Sequence, residues 1–148
     1  DDIIMNTFGG MLGYIIYYIL ARFDRKRRKE FEKHVFDTYG IEADYPWQTN
    51  PNFGVFRHPV GKKWFALVMD ISKRRLGKDD VIADVVNLKC APSLISSFCR
   101  DDGIYPAYHM NKANWISVAL DEADDDEIKA LLDMSYALTM PKVKKASK

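Results

Sequence analysis

The sequence predicts an α+β domain built on one twisted antiparallel sheet of about five strands, with its elements in the order α-β-β-β-α-β-β-α. Three observations lead there. Period-two alternation runs through Trp64–Ile71, with Phe65, Leu67, Met69 and Ile71 on one face and Trp64, Ala66, Val68 and Asp70 on the other. No long crossover of the kind that parallel strands need separates the strand candidates. A composition of 47% hydrophobic and 13% aromatic residues can fill a core and argues against disorder.

In chain order, Ile3–Ala21 carries no charge, and from Tyr14 to Tyr39 neither Gly nor Pro interrupts a helix. Phe31, Val35 and Tyr39, four apart, form an apolar stripe that can dock on a core. Gly40 is a natural stop. Phe53–His58 is a short strand candidate, HPVGKK a turn, Trp64–Ile71 the strongest strand and Val81–Leu88 the third. Pro92 opens a short amphipathic helix through Leu94, Ile95 and Phe98. Ile104–Met110 and Trp115–Leu120 read as the last strand pair. Asp124 with Glu127 resembles a capping box that starts a helix with Ile128, Leu131, Leu132 and Leu138 on its core face, stopped by Pro141. The organisation is an apolar segment over residues 1–21, a domain over 22–141 and a basic tail over 142–148.

The chemistry this chain can carry is narrow. Cys90 and Cys99 share no metal or redox spacing with each other or with His34, His58 and His109, and they read as small apolar side chains in a reducing compartment. No phosphate loop, nucleophile elbow or dinucleotide fingerprint occurs. We therefore expect no catalytic residues, no cofactor and no enzyme activity. Six carboxylates between Asp121 and Glu127 suit the start of a helix, where they complement its dipole, and no metal site is expected.

Charge is segregated although the net charge is only +1. Seven cations fall between Arg22 and His34, and seven more between Arg57 and Lys78. If Ile116, Val118 and Leu120 face the core, Trp115 points away from it, and Trp64 does the same on its own strand. Both indoles then sit beside Arg57, Lys62, Lys63, His109, Asn111 and Lys112. Cations neutralise phosphates, Asn reads base edges and indoles stack on bases, so these eight residues form a candidate nucleic-acid surface. The competing structural reading packs both tryptophans and turns Asn111 onto its own backbone.

GKKWFALVMDI, VVNLKCAP, YPAYHMNKANWISVAL and DDDEIKALLDMSYALT together resemble the MmcQ/YjbR family over about residues 26–141. The resemblance implies a CyaY-like fold of the "double wing" type and DNA as the partner. Frataxin-like iron binding, which the fold also brings to mind, uses an acidic first helix. Here that helix, DRKRRKEFEKH, is basic.

The reading is a non-enzymatic, cytoplasmic DNA-binding domain. The alternatives are a small-ligand or protein-interaction domain using the same aromatic surface, and a domain tethered by residues 3–21 whose Arg22, Arg25, Lys26, Arg27, Arg28 and Lys29 meet an anionic membrane surface.

Overall fold

The computed structural model describes residues 2–100 and 102–144, with side chains over 9–19, 25–100 and 102–144. Its elements follow the expected order: α1 (Asp2–Tyr39), β1 (Gly54–Arg57), β2 (Trp64–Ser72), β3 (Ile82–Lys89), α2 (Ile95–Phe98), β4 (Ile104–Pro106), β5 (Trp115–Ala119) and α3 (Asp125–Thr139). Every strand pairing is antiparallel, in the spatial order β1-β2-β3-β5-β4. The boundary drawn at residues 21 and 22 falls inside α1, a single helix of 38 residues. The expected basic tail over 142–148 lies partly outside the described residues.

The helices cover one face of the sheet. Phe31 and Val35 of α1 and Ile128, Leu131 and Leu132 of α3 pack on Phe56, Ala66, Val68, Val86, Leu88, Ile116 and Val118. Gly40, in the left-handed region at φ +68°, ends α1 by donating its N–H to the Phe36 carbonyl. The side chain of Asp124 caps α3 by accepting from the backbone N–H groups of Asp126 and Glu127. Leu138, expected in the core, is exposed instead. The buried stripe of α3 continues through Ser135 and Thr139. Ser135 Oγ accepts from the Lys89 N–H at 2.7 Å and donates to the Phe65 carbonyl at 2.5 Å.

Two departures from simple alternation shape the face of the sheet that the helices leave open. Phe56 pairs with Ala66 but Arg57 pairs with Trp64, so Phe65 is an extra residue, a β-bulge. Phe65 therefore joins Ala66 and Val68 beneath the helices, while Trp64 moves to the Leu67, Met69 and Ile71 side. The strand expected over Ile104–Met110 stops at Pro106, because Ala107 and Tyr108 fold back over the sheet.

The basic stretch of α1 is not a uniform solvated run. Arg27 donates to the Ala123 carbonyl at 3.0 Å and pairs with Asp125 at 2.8 Å. Arg28, nearly buried, reaches Glu32 at 3.0 Å, Asp84 at 3.1 Å and the Asn52 carbonyl at 2.5 Å. Asp84 lies opposite Asp70 across β2 and β3, a like-charge pair that Arg28 and the Asn52 amide, 2.8 Å from Asp70, offset. Replacing Arg28 by Met should lower stability by about 3 kcal/mol in urea unfolding, because it withdraws the guanidinium from a buried carboxylate. Adding Asp84→Asn should recover part of that loss.

Candidate functional site

Antiparallel pairing in this strand order brings the β1–β2 turn, residues 58–63, and the β4–β5 turn, residues 107–114, to the same end of the sheet. Each turn holds one non-glycine residue in the left-handed region, Lys62 at φ +55° and His109 at φ +62°. Such residues are uncommon, and the surrounding structure must hold them there.

The first turn is anchored from inside. His58 is buried against the rings of Phe65 and Tyr136, with Nε2 2.8 Å from Thr139 Oγ1. Its N–H donates to the Lys63 carbonyl at 2.9 Å. Beyond this base, Lys62 and Lys63 are exposed.

A closed polar triangle anchors the second turn. Ser117 Oγ donates to Asn87 Oδ1 at 2.5 Å, Asn87 Nδ2 donates to the Tyr108 carbonyl at 2.6 Å, and the Tyr108 N–H donates to Ser117 Oγ at 2.9 Å. Asn87 and Ser117 are fully buried, so each bond is made where water offers no alternative. Asn111 Oδ1 accepts from the Ala113 N–H at 2.9 Å. This is the turn-forming role that competed with base reading, and Asn111 belongs to the frame of the turn. His109 and Lys112 are exposed at its tip.

The helix-free face of the sheet lies between these turns, and it corrects the expectation for Trp115. That side chain points away from the helices, as alternation requires, but it is only 9% exposed. Its ring lies beneath Lys89, whose Nζ is 5.4 Å from the ring centroid, and Lys89 is its cross-strand partner. Trp115 is thus a covered packing residue with no ring face open to a base. Trp64 is half-buried, with the Arg57 guanidinium 5.2 Å above it and Trp47 against it edge-on at 5.7 Å. Arg75 covers Tyr108 at 5.8 Å, and Lys78 covers Tyr105 at 5.7 Å.

The basic run from Arg57 to Lys78 is therefore largely engaged with its own protein. Arg57 also pairs with Asp44 at 3.5 Å, and Arg74 with Asp80 at 3.2 Å. Lys73 contacts Asp121 at 2.5 Å and Glu122 at 2.8 Å. Burial works against its charge, but those two carboxylates outweigh burial and hold its pKa above the ordinary value. Lys62 and Lys63 stand at the surface, together with Lys112. Asn87, Lys89, Arg75 and Tyr108 are the participants that sequence reasoning missed. An alternation of Asn and Lys in VVNLK was the available signal, but it does not reveal what lies across the strand.

Of the α1 cations, Arg27 and Arg28 are consumed in docking, while Arg25, Lys26 and Lys29 are exposed. The Arg22 side chain lies outside the described residues. Two cavities flank this helix. One of about 310 Å³ has Phe31, Leu120 and Ile128 in its wall, and one of about 620 Å³ opens beside Arg28, Asp70, Asp84, Tyr45 and Asn52. Among the described residues, no three His, Cys, Asp or Glu side chains are grouped to hold a metal ion. No helix among them is long and apolar enough to cross a membrane. Cys90 and Cys99 are free thiols whose pKa values burial pushes up.

Comparison with known proteins places this arrangement. Residues 37–138 match the family model described as YjbR. The uncharacterised Bacillus subtilis protein YyaQ is 40% identical over 114 residues, which cover 76% of this chain and 97% of that one. A Pseudomonas syringae protein solved by crystallography superposes with a TM-score of 0.74 at 41% identity, over 76% of this chain and 98% of its own. A Pseudomonas syringae solution structure gives 0.73 at 38% identity, over 82% of this chain and 98% of its own. A DUF419-domain protein of Deinococcus radiodurans, 22% identical, shares the fold with a TM-score of 0.53 over 72% of each chain.

His58 gives the anchored turn a pH signature. Burial, the largest influence, lowers its pKa below the usual histidine value, and the Lys63 charge works in the same direction. The unfolded chain then binds a proton that the native chain refuses, so this contribution to stability is complete above about pH 6.5 and is lost as pH falls below it. Thermal midpoints should decline as pH falls below about 6.5. His58→Gln should flatten that part of the profile.

Proposed function

The chain belongs to the YjbR family, and from that premise we propose that it is a non-catalytic, cytoplasmic DNA-binding domain that grips duplex phosphates with the two turns at one end of its sheet. The observation that carries this reading is the shared placement of Lys62 and Lys63 on one turn and His109 and Lys112 on the other. Three strand spacings separate the two hairpins, about 14 Å at ~4.8 Å each, close to the ~12 Å width of a B-DNA major groove. Lys89, at the end of β3 between the two hairpins, adds positive charge to the gap. The bulge and the Asn87–Ser117–Tyr108 triangle support the reading because they fix the turns in advance, which reduces the ordering cost of binding. The free thiols fit a reducing compartment.

The 620 Å³ cavity beside Arg28 and Asp84 favours a second reading, a small polar ligand held there, since its size suits such a ligand. That site is distinct from the aromatic surface, whose rings are covered by their own cations.

Titrating the full chain with duplex DNA at several salt concentrations separates the two. If Lys62, Lys63 and Lys112 each neutralise one phosphate, log K should fall with log salt at a slope of roughly −2.7. Lys62→Ala with Lys63→Ala should reduce the slope by about 1.8, whatever the DNA sequence. Arg25→Gln, Lys26→Gln and Lys29→Gln together should leave it nearly unchanged. Trp115→Ala should cost about 3 kcal/mol of stability, with the slope intact in protein that remains folded. Salt-insensitive or absent DNA binding would overturn the proposal and leave the cavity as the better site.

A further inference from the structure

The first half of α1 lies outside the family domain, and its surface is unlike the rest of the molecule. Met11, Leu12, Tyr14, Ile15, Ile16, Tyr17, Tyr18 and Ile19 are each between 48% and 69% exposed. At ~200 Å² for a large side chain, they leave roughly 900 Å² of apolar surface in water. These positions run around the helix, so one partner helix covers only part of that area, yet even half of it falls in the range of about 300–600 Å² of the largest apolar patch on a typical monomer. An area of this size calls for a cover.

The chemistry of the segment decides between two covers. In a bilayer, Tyr14, Tyr17 and Tyr18 would lie near the middle of the apolar run, where each hydroxyl needs a partner that lipid cannot give, and not at the ends, where tyrosine is favoured. Against another helix the hydroxyls can stay at the wet margins of the contact. Gly9 and Gly13, one turn apart, present bare backbone, and a side chain built at either would meet nothing of this chain within 4 Å. A partner helix therefore has room to approach.

Charge sets the orientation. Asp1 and Asp2 precede the uncharged run, and Arg25, Lys26 and Lys29 come after it. A parallel pair would stack acid on acid and base on base. An antiparallel pair sets the aspartates of one copy against the basic end of the other and also opposes the helix dipoles favourably. We infer that the cover is a second copy of this chain, and that residues 9–19 of α1 pair antiparallel with the same segment of that copy. This interface is independent of the DNA reading, because the paired turns lie on other elements of the domain.

The test uses the full chain without detergent. Sedimentation equilibrium should give twice the chain's 17.1 kDa at micromolar concentration, with no lipid present. Ile16→Glu with Ile19→Glu, both at exposed positions, should raise the dimer dissociation constant at least tenfold, while the far-ultraviolet spectrum of the domain stays unchanged. Asp1→Lys with Asp2→Lys should weaken association severalfold. Adding Arg25→Glu and Lys29→Glu to that same chain should restore it. Restoration is expected only for antiparallel pairing, because a parallel pair would remain like-on-like at both ends. A monomer at high micromolar concentration would overturn the inference, and so would a double charge swap that fails to restore the dimer. A chain that stays monomeric but pellets with phosphatidylcholine–phosphatidylserine vesicles would assign the segment to a membrane surface instead.

Discussion

Residues 83–88 of the central strand β3 are buried on both sides of the sheet, yet the α-helices pack on only one side, so the other face must be closed by loops and long side chains. The rest of the molecule depends on that asymmetry. Val55, Leu67, Met69, Ile71 and Val85 form the second core, and Trp47, Phe53, Trp64, Leu76 and Tyr108 close it. Aromatic rings at this boundary keep one surface toward water. Arg57 and Arg75 lie over Trp64 and Tyr108 there, and Lys78 and Lys89 lie over Tyr105 and Trp115, adding apolar stems and charged heads to the cover.

The bulge at Phe65 makes this closure possible. Without the extra residue, Trp64 would sit beneath the helices and Phe65 would replace it on the open face. With it, Phe65 joins Phe56, His58 and Tyr136 in the main core, and Trp64 caps the edge of the second. The buried Asn87–Ser117 pair plays a matching part on the other half of the sheet. It offers the backbone of Tyr108 both a donor and an acceptor, which ends β4 early and lays the next turn over the sheet. A bulge on one hairpin and a polar triangle on the other thus fix the two turns that frame the candidate surface.

Positive charge is allotted by the same packing. Arg27 and Arg28 hold α1 to the domain through Asp125, Ala123, Glu32 and Asp84, and Lys73 fastens β2 to the segment before α3. Among the described residues, the exposed cations include Lys62, Lys63 and Lys112 on the two turns and Arg25, Lys26 and Lys29 on α1. A long apolar arm then extends from a domain whose own surface is mixed in charge.

Several features were legible in the sequence because each rests on local rules. Alternation identified β2 and the antiparallel sheet, Gly40 and Asp124 marked helix ends, and YPAYHMNKANW pointed to the family, whose matching residues the comparison then found. The exposed Lys62, Lys63, His109 and Lys112 were also named from local turn chemistry, since polar turns between strands reach the surface. Only the tertiary structure decided the facing of Phe65 and Trp64, because one bulged residue reverses every side chain beyond it and leaves no compositional trace. It also decided that Trp115 is covered and that Arg28 is drawn into an ion pair with the buried Asp84. Both outcomes depend on residues far away in the chain, Lys89 for one and Asp84 for the other. Periodicity tells a side chain which way to point; what waits there is settled only when distant strands and helices meet.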